Sequence, residues 1–581
     1  MAEFGRLDQV LAQRGFVSVP SPLSNEVYTP RFEASPSDGW YFGSLQTKRG
    51  SVCIYLGIPS LEFTKPPTIW LSERPSWMVG WRPHLLPFRT PLNEFLCYSD
   101  HEQFHLLAHE PERAILRVLE DAQITIDRIS DPETVIADSQ REISVHWDQS
   151  EDEYYCDIDP EPRIQTCRIG RVENSQGKIM HLLSLKPDLL AQKLGMNAQV
   201  PRILSAVIFP EPRKPLYLTS AGRPKNLKEL WQWLKDVSPD TFDRWIKILK
   251  SKEHYAERIY YYFFRAGNQL IGYSAFSGGA VLSKVKSARE RIEYITKNVH
   301  REPLEITRLS VTRLDSEYLV RRNLPADIED LRGMSVLLIG AGTIGGFVAR
   351  SLVQIGAGLA KGTDAGSLVI VDPQTLESQN IGRHFLGLQY LGWKKVDAVK
   401  DVLLKMHPLT NIEAVSSRFD GIEGRLNQFH LIINATGFEP FGREISKLVR
   451  IHNWLDGKHA LLHTWIEGRG GVVRTLLEDN EKAACFDCMW SYSVNQQPKL
   501  RRPAYAEDEW NQRSSDGYST MTPFAVSASL ASTALTIDSV LAWRSSINGP
   551  RFRSRSSEGR GIKPSESVNL PRNGNCPTCS T

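Results

Sequence analysis

Short apolar runs recur through the second half of the chain and predict a buried parallel sheet. Three of them cover residues 334–339, 367–371 and 431–437, and each is rich in branched side chains. Continuous runs of this kind are typical of strands that are covered on both faces. The first run is followed by residues 347–353, whose apolar positions predict a helix. Strands that alternate with helices in this way predict an α/β domain.

The first part of the chain has a different pattern, with short strands that precede a helix. Strands are predicted at residues 51–58 and 67–71, followed by a proline turn at 83–87, an extended segment at 93–98 and a helix over 111–129. A run of strands before a helix predicts an α+β domain.

The middle of the chain predicts a further α/β unit that connects the two. A hairpin is expected around the turn 266–268, and a helix is expected to start after Asn226. Basic and aromatic residues interleave over 244–258, where we favour an amphipathic helix with Trp245 in the core over a nucleic-acid surface. The predicted domain boundaries of this α/β and α+β multidomain protein are 1–150, 151–300 and 301–581.

Composition narrows the class of protein without naming it. The chain has 581 residues, too many for one core, and its formal net charge of +3 demands neither nucleic acid nor a membrane as partner. The first residues lack the basic-then-apolar pattern of a signal peptide. Eight cysteines are too sparse for a disulfide scaffold. We therefore expect a cytoplasmic protein.

A glycine turn after the first buried run predicts a nucleotide-binding site. Gly340 permits a tight turn, Gly342 lets phosphate approach the backbone, and Gly345 lets the helix pack against the strand. The helix N-terminus then presents free N–H groups to phosphate. Asp372, at the end of the second run, is placed to hold a ribose hydroxyl. These features alone would also fit a dinucleotide-dependent dehydrogenase.

Polar and cationic residues beyond Asp372 favour ATP over a dinucleotide. Asn380, Arg383 and Lys395 follow within one loop and the start of a helix. Hydride transfer has no use for a cationic cluster at this place. An adenylating enzyme needs one, because cations must neutralise the pyrophosphate as it leaves.

These four residues, in this order and spacing, resemble the adenylation site of the ThiF/MoeB and ubiquitin-activating-enzyme superfamily. The resemblance covers about the last half of the chain and implies a Rossmann-like domain, ATP, Mg²⁺ and a homodimer. It also implies an arginine that reaches the partner's ATP, for which Arg313 is the best candidate. The alternative for Arg313 is a solvated basic helix.

Two positions depart from the pattern of that superfamily. Gly437 stands where an aspartate would hold magnesium, and Gln374 stands where a second acid would follow the ribose strand. Glu439 is the candidate that could take over the metal role.

The N-terminal region resembles a ubiquitin-conjugating domain. Pro83, His84 and Cys97 are similar to elements of the conjugating domains in bacterial fusion proteins of antiphage defence operons. The resemblance implies that Cys97 carries a thioester. The usual His-Pro-Asn tripeptide is absent, which leaves oxyanion support unassigned. The alternative is that Cys97 is an ordinary buried cysteine.

Two Cys-x-x-Cys pairs predict a zinc site. Cys485 and Cys488 form the first pair, and Cys576 and Cys579 form the second. Each pair supplies two thiolates at a turn, so the two together complete a tetrahedral site. Four thiolates leave no open position, so this zinc is expected to be structural.

Activating enzymes with a thioester step carry a cysteine between these pairs, but this interval contains none. It offers hydroxyls at Ser519, Thr520 and Thr522. The activated carrier could therefore pass directly to Cys97, form an oxygen ester on one of these hydroxyls, or remain an adenylate. A hydroxyl is a weak nucleophile without a nearby base. An ordinary Ser/Gly-rich linker would explain this loop as well.

The two resemblances together imply a fused activating and conjugating enzyme for a ubiquitin-like protein, with transfer to a target protein. Its expected cofactors are ATP, Mg²⁺ and structural Zn²⁺, and its expected oligomer is a homodimer without membrane or nucleic acid. Two other classes stay open. One is a simple adenylyltransferase for a sulfur carrier, with an N-terminal interaction module. The other is a pseudoenzyme scaffold.

Overall fold

The computed structural model divides the chain into two compact units. It describes residues 5–22, 28–29, 32–33, 37, 39–87, 94–98, 106–147, 152–198, 204–250, 259–276, 305–491, 499–501, 514–515, 520–556 and 566–579. Unit 1 comprises Met1–Cys156, Pro162–Pro187 and Ala198–Thr312, and unit 2 comprises Asp157–Glu161, Asp188–Asn197 and Arg313–Thr581. The three predicted domain boundaries stay a prediction.

Unit 1 begins with a small antiparallel sheet. Its strands run in the order β1-β4-β5-β6-β8-β7. The elements up to residue 147 are α1 (Gly5–Gln13), β1 (Val17–Ser18), β2 (Tyr28–Thr29), β3 (Phe32–Glu33), β4 (Gly39–Thr47), β5 (Gly50–Ile58), β6 (Thr68–Leu71), β7 (Leu85–Pro87), β8 (Glu94–Leu96), α2 (Pro111–Ser130) and α3 (Pro132–Trp147). The apolar face of α2, with Ile115, Val118 and Ile126 fully buried, packs with residues of β4 and β5 in one core. The predicted strands and helix of this region are confirmed. The predicted turn over 83–87 is too long, because residues 85–87 form β7 and pair with β8.

Most strand residues of a second, eight-stranded sheet belong to unit 1. Its order is β11-β9-β16-β15-β14-β13-β10-β12. The elements from residue 153 to 313 are β9 (Glu153–Cys156), β10 (Gln165–Glu173), β11 (Ile179–Ser184), α4 (Pro187–Lys193), β12 (Asn197–Ala198), β13 (Leu204–Phe209), α5 (Leu227–Val237), α6 (Pro239–Lys250), β14 (Ile259–Ala266), β15 (Gln269–Phe276) and β16 (Ile306–Arg313). The predicted hairpin is β14 with β15. Asn226 caps α5 by accepting the Glu229 N–H at 2.9 Å, as a helix start after Asn226 requires. Trp245 is 1% exposed, so the described part of its helix uses this aromatic residue in the core.

Unit 2 is built on a seven-stranded sheet in the order β19-β18-β17-β20-β21-β22-β27. The strands from β19 to β21 are parallel, and β22 and β27 are antiparallel additions. The helices are α7 (Ser316–Arg321), α8 (Thr343–Gln354), α9 (Lys395–Met406), α10 (Glu439–Ile451) and α11 (Val526–Arg544). The strands of this sheet are β17 (Ser335–Ile339), β18 (Ser367–Val371), β19 (Ile412–Val415), β20 (Leu431–Asn434), β21 (Asp456–Glu467), β22 (Val472–Asn480) and β27 (Phe552–Ser556). Three short strand pairs lie outside the large sheets, and those of unit 2 are β23 (Trp490–Ser491), β24 (Lys499–Leu500), β25 (Ser514–Ser515) and β26 (Thr520–Met521).

This strand order creates the crevice that matters for function. The chain builds outward from β17 through β18 to β19, then crosses back to place β20 on the other side of β17. The carboxyl ends of β17 and β20 therefore part at a topological switch point, where open α/β sheets bind ligands. The predicted Rossmann-like α/β fold of the C-terminal region is confirmed.

Helix α11 is the one described helix long and apolar enough to cross a membrane. Its buried side carries hydroxyls that bond within unit 2: Ser532 contacts Thr464 at 3.0 Å, and Ser539 contacts Thr475 at 3.0 Å. A helix packed in a protein core has the same composition as a membrane span, so its composition is weak evidence for one.

Candidate functional site

A cavity of about 760 Å³ opens at the switch point of unit 2. It is lined by the start of α8, the loop that holds Arg383, the first residue of α9, the ends of β20 and β21, and the segment before α11. The predicted candidates among its lining residues are Gly342, Asn380, Arg383, Lys395, Glu439 and Thr522. The fold thus brings together residues up to 180 positions apart in the sequence.

The glycine turn is shaped by close backbone contacts. Gly340 has φ +98° and donates its N–H to the Val371 carbonyl at 2.8 Å. A Cβ on Gly345 would lie 1.8 Å from the Gly340 carbonyl oxygen, so only glycine allows this helix to start so near the strand. At Gly342, by contrast, no described atom lies within 4 Å of an added Cβ. Gly345 therefore serves packing, whereas Gly342 borders open space.

Asp372 is part of the same turn. Its carboxylate accepts the Ala341 N–H at 2.8 Å and the Gln374 N–H at 2.8 Å, one on each oxygen. Each carboxylate oxygen retains a further lone pair for a hydroxyl. Asp372 therefore ties β18 to the glycine turn, and its contact with ribose stays a prediction.

The two predicted cations, Arg383 and Lys395, line the cavity and are partly shielded from water. Burial is the main cause that lowers the pKa of Lys395, and the nearby charge of Arg383 lowers it further, against the carboxylates of Asp372 and Glu377. Burial also lowers the pKa of Arg383. The Lys395 ammonium donates to the Gln374 side-chain oxygen at 2.6 Å. Two partly desolvated cations beside a cavity favour an anion there, because an anion offsets both the desolvation and their repulsion.

Asn380 has a local structural role that the sequence did not indicate. It ends a short 3₁₀ turn, Ser378–Asn380, and its side-chain oxygen accepts the Glu377 N–H at 3.0 Å. This capping box fixes the loop that leads to Arg383. Its predicted contact with nucleotide stays a prediction.

His384 was missed by the sequence analysis and is the side chain that braces the glycine turn. Its Nε2 donates to the Ala341 carbonyl at 2.9 Å, and its Nδ1 accepts the Leu386 N–H at 3.1 Å. Burial lowers the pKa of His384, which agrees with a neutral ring that donates at one nitrogen and accepts at the other. Only its position next to Arg383 could have drawn attention to it.

A buried polar network forms the floor behind the cavity. His463 contacts the Asn434 side chain at 3.2 Å, Ser446 at 3.1 Å and Glu478 at 3.2 Å. Glu478 also accepts from Arg450 at 2.8 Å. Burial would raise the pKa of Glu478, but His463, Arg450 and Ser446 outweigh it and lower the value. The network joins the end of β20 to β21 and β22, and no sequence pattern signals it.

The carboxylate proposed for magnesium, that of Glu439, lies in the cavity lining. Gly437 has φ +64°, a left-handed conformation in which glycine carries no side-chain penalty. Glu439 lines the cavity and is ion-paired with Arg443. Mg²⁺ commonly takes one or two protein carboxylates and completes its shell with water and phosphate. Glu439 is compatible with that donor set.

The four cysteines of the two pairs meet at one point in unit 2. Their sulfur atoms lie within 4.8 Å of one another, with Cys485 at 3.8 Å from Cys488 and 3.5 Å from Cys576, and Cys488 at 3.6 Å from Cys579. Four thiolates at about 2.3 Å from a tetrahedral zinc would be about 3.8 Å apart. The cluster can therefore hold zinc, as predicted.

Arg313 lies outside the cavity lining. It is 5% exposed and forms a bidentate pair with Asp315 at 2.6 and 2.7 Å, and Asp315 in turn caps α7. In this single chain Arg313 is a structural ion pair, and its predicted reach to a partner's ATP stays a prediction.

The predicted hydroxyls are only partly described. Thr522 lines the cavity and its carbonyl accepts from Arg383. The backbone of Thr520 lies in β26, and Ser519 lies outside the described residues. Within the described part of the chain, Thr522 is thus the one of the three with an established place in the cavity lining.

Cys97 follows β8 in unit 1 and is half-buried, so it is not the fully buried cysteine of the alternative interpretation. Its N–H donates to the His84 carbonyl at 2.9 Å. His84 has φ +60°, and its ring lies between Asp138 Oδ2 at 3.3 Å and Glu142 Oε1 at 3.1 Å, both from α3. We call His84, Asp138 and Glu142 the histidine clamp. It was not foreseen, because α3 follows Cys97 by some 40 residues.

Comparison with known proteins identifies a family match in the second half of the chain. Residues 314–577 match the model of the ThiF family. The protein therefore carries a ThiF-type domain, in the unit where the cavity and the cysteine cluster lie.

The chain also has a relative along its whole length. It is 27% identical over 573 residues to the ATP-dependent ubiquitin transferase-like protein Cap2 of Pseudomonas aeruginosa, a match that covers 95% of this chain and 96% of that protein. It is 28% identical over 164 residues to ubiquitin-like modifier-activating enzyme 5 of Drosophila grimshawi, covering 27% of this chain and 38% of that protein. A crystal structure of E. coli MccB with ATP matches 43% of this chain and 67% of that chain, at 15% identity and a TM-score of 0.31. The resemblance to bacterial ubiquitin transferase-like proteins with a ThiF domain is confirmed.

Proposed function

We propose that this protein uses ATP to activate the C-terminal carboxylate of a ubiquitin-like protein and carries the activated protein on an ester bond before transfer to a target. The observation that carries the proposal is the cavity of unit 2, where a glycine turn faces the partly desolvated cations Arg383 and Lys395. The names of the relatives, a ubiquitin transferase-like protein and a ubiquitin-like modifier-activating enzyme, support it.

In the proposed first step, an oxygen of the carrier's terminal carboxylate attacks the α-phosphorus of ATP. The bond from that phosphorus to the bridging oxygen breaks, and pyrophosphate leaves with the electron pair. Arg383 and Lys395 offset the charge that grows on pyrophosphate, while the N–H groups at the start of α8 hold phosphate oxygens. Asp372 accepts a ribose hydroxyl. Mg²⁺, held by Glu439 and phosphate oxygens, would offset further phosphate charge.

In the proposed second step, the acyl adenylate is attacked by a nucleophile of the protein. The Cys97 thiolate adds to the carbonyl carbon, AMP leaves, and a thioester results. We rank Cys97 above the hydroxyl of Thr522, because a thiol is partly ionised near neutral pH whereas a hydroxyl needs a base to remove its proton. Transfer to an amine or hydroxyl of a target would regenerate the thiol.

The test is intact-mass measurement after the protein is mixed with ATP, Mg²⁺ and a ubiquitin-like protein that has a free C-terminal carboxylate. An adduct that is lost to thiol reductant and absent in Cys97→Ala supports the thioester. Cys53→Ser is the matched control, because Cys53 is also half-buried in unit 1. An oxygen ester would instead survive reductant and yield to mild base. If such an adduct disappears in the Ser519→Ala, Thr520→Ala, Thr522→Ala triple variant, the ester is on one of these three hydroxyls.

Two other functions predict different results in the same experiment. A simple adenylyltransferase for a sulfur carrier, favoured by the missing loop cysteine, would release pyrophosphate without an adduct and would be indifferent to Cys97→Ala. A pseudoenzyme scaffold, favoured by Gly437, would do neither. We further propose a cytoplasmic homodimer that acts in antiphage defence, as the composition and the resemblance to the ThiF/MoeB superfamily and to fusion proteins of antiphage defence operons imply.

A further inference from the structure

The guanidinium of Arg383 is held by a segment that follows it by about 140 residues. Its Nη1 donates to the Thr522 carbonyl at 3.3 Å. Its central carbon lies 4.7 Å from the centroid of the Phe524 ring, within the range of a cation–π contact. The same contact excludes water from one face of the group, in agreement with the burial that lowers the pKa of Arg383.

The position of Phe524 is fixed by the elements around it. It lies just before α11, whose buried face packs on β21 and β22. Gly470, in the turn between those strands, has φ +91°, and a Cβ there would lie 2.8 Å from the Phe524 Cβ and 3.1 Å from the Ala528 Cβ. The close approach of turn and helix start leaves the Phe524 backbone little room to move.

This arrangement matches the demands on a phosphate-binding arginine. Stacking uses the flat face of a guanidinium, whereas phosphate oxygens bind its edge N–H groups, so the two contacts are compatible. A long side chain that is already oriented loses less conformational freedom when its ligand binds. Arg383 lines the cavity together with Thr522 and Phe524.

We propose that Phe524 is a positioning residue that orients Arg383 toward the β- and γ-phosphates of ATP. The inference rests on the proposed function, because it assumes that the cavity binds ATP. It makes Thr522 and Phe524, which follow the predicted hydroxyls of Ser519 and Thr520, part of the nucleotide site.

The test uses calorimetric binding of two probes, ATP with Mg²⁺ and AMP, to the full chain. Phe524→Leu removes the ring but keeps an apolar side chain, and we expect ATP to bind about fivefold more weakly while AMP binds within twofold of the wild-type affinity. Phe524→Tyr keeps the aromatic face and should bind ATP like the wild type. Unchanged AMP binding shows that the fold of the site is intact.

A double-variant cycle separates positioning from a general structural role. If Phe524 acts through Arg383, then Phe524→Leu should cost no further ATP affinity in an Arg383→Ala background. Equal fivefold losses in both backgrounds, or a Phe524→Leu variant that binds ATP like the wild type, would overturn the inference while leaving the proposed function intact. A wild-type protein that binds AMP and ATP with equal affinity would also overturn it, and one that binds neither would refute the proposed function as well.

Discussion

The cavity of unit 2 and the Cys97 hairpin of unit 1 are two candidate reaction centres that the chain assembles differently. In the cavity, the glycine turn, Asp372, Arg383 and Lys395 come from one stretch of about 55 residues. Around Cys97, the supporting side chains come from a helix some 40 residues later in the chain. A centre built from one stretch leaves a legible pattern in the sequence. A centre built from distant elements is visible only through the fold.

The difference extends to how each reactive group is held. Arg383 donates to a backbone carbonyl and stacks on a ring, and Lys395 donates to a side-chain amide oxygen. His84 is held by two carboxylates and fixes the Cys97 backbone through its own carbonyl. The first centre thus presents two cationic side chains, whereas the second fixes the backbone of Cys97.

The largest effect is expected from a substitution in the cysteine cluster, which lies in the same unit as the cavity. Cys488→Ser should abolish stoichiometric zinc and lower the Tm of unit 2 by about 10 °C or more, because structural zinc contributes folding free energy directly. Zinc content by plasma mass spectrometry and a thermal scan measure this. Cys156→Ser, at a buried cysteine of unit 1, should keep full zinc content. Full zinc in Cys488→Ser would contradict a four-thiolate site.

Two glycine variants separate packing from ligand approach within the cavity. Gly345→Ala should destabilise the protein by ~3 kcal/mol, since its Cβ would collide with the Gly340 carbonyl. Gly342→Ala should leave stability within ~0.5 kcal/mol but weaken ATP binding about tenfold, because the methyl group enters the space predicted for phosphate. Denaturant unfolding and calorimetry measure the two quantities. The reverse order of stabilities would refute the assigned roles.

The histidine clamp can be broken without touching Cys97. The double variant Asp138→Asn, Glu142→Gln removes both charges that hold the His84 ring, and relaxation of its φ of +60° should displace the carbonyl that binds the Cys97 N–H. We expect adduct formation at Cys97 to slow about tenfold, with ATP affinity unchanged. The rate is followed by intact mass. Glu120→Gln, at an exposed carboxylate of α2, is the control for lost charge and should have no effect.

The smallest expected effect is the pH dependence of the glycine turn. Because the pKa of His384 is lowered in the folded protein, the unfolded chain binds more protons below about pH 6.5. Its contribution to stability is therefore complete above that pH and is lost as the pH falls. His384→Gln, which can still donate to the Ala341 carbonyl, should flatten the fall of Tm between pH 7 and 5. Identical pH profiles for variant and wild type would show that His384 does not titrate in this range.

Local sequence patterns were sufficient to predict most of the elements and candidate site residues of unit 2. The buried strands, the glycine turn and the paired cysteines could be recognised because their chemistry depends on neighbouring residues and on fixed spacing. The helix cap at Asn226 and the hairpin of β14 and β15 were legible for the same reason. The spacing around Arg383 and Lys395 also sufficed to favour ATP over a dinucleotide.

Contacts between distant elements could be found only in the tertiary structure. The bracing of the glycine turn by His384, the stacking of Phe524 on Arg383, the network around His463 and the histidine clamp each depend on which loops and helices meet. The ion pair of Arg313 with Asp315 within the single chain was likewise not indicated by the sequence. Sequence spacing determines which groups share a turn or a strand end. Only packing decides which side of a ring, carbonyl or guanidinium faces a neighbour far along the chain.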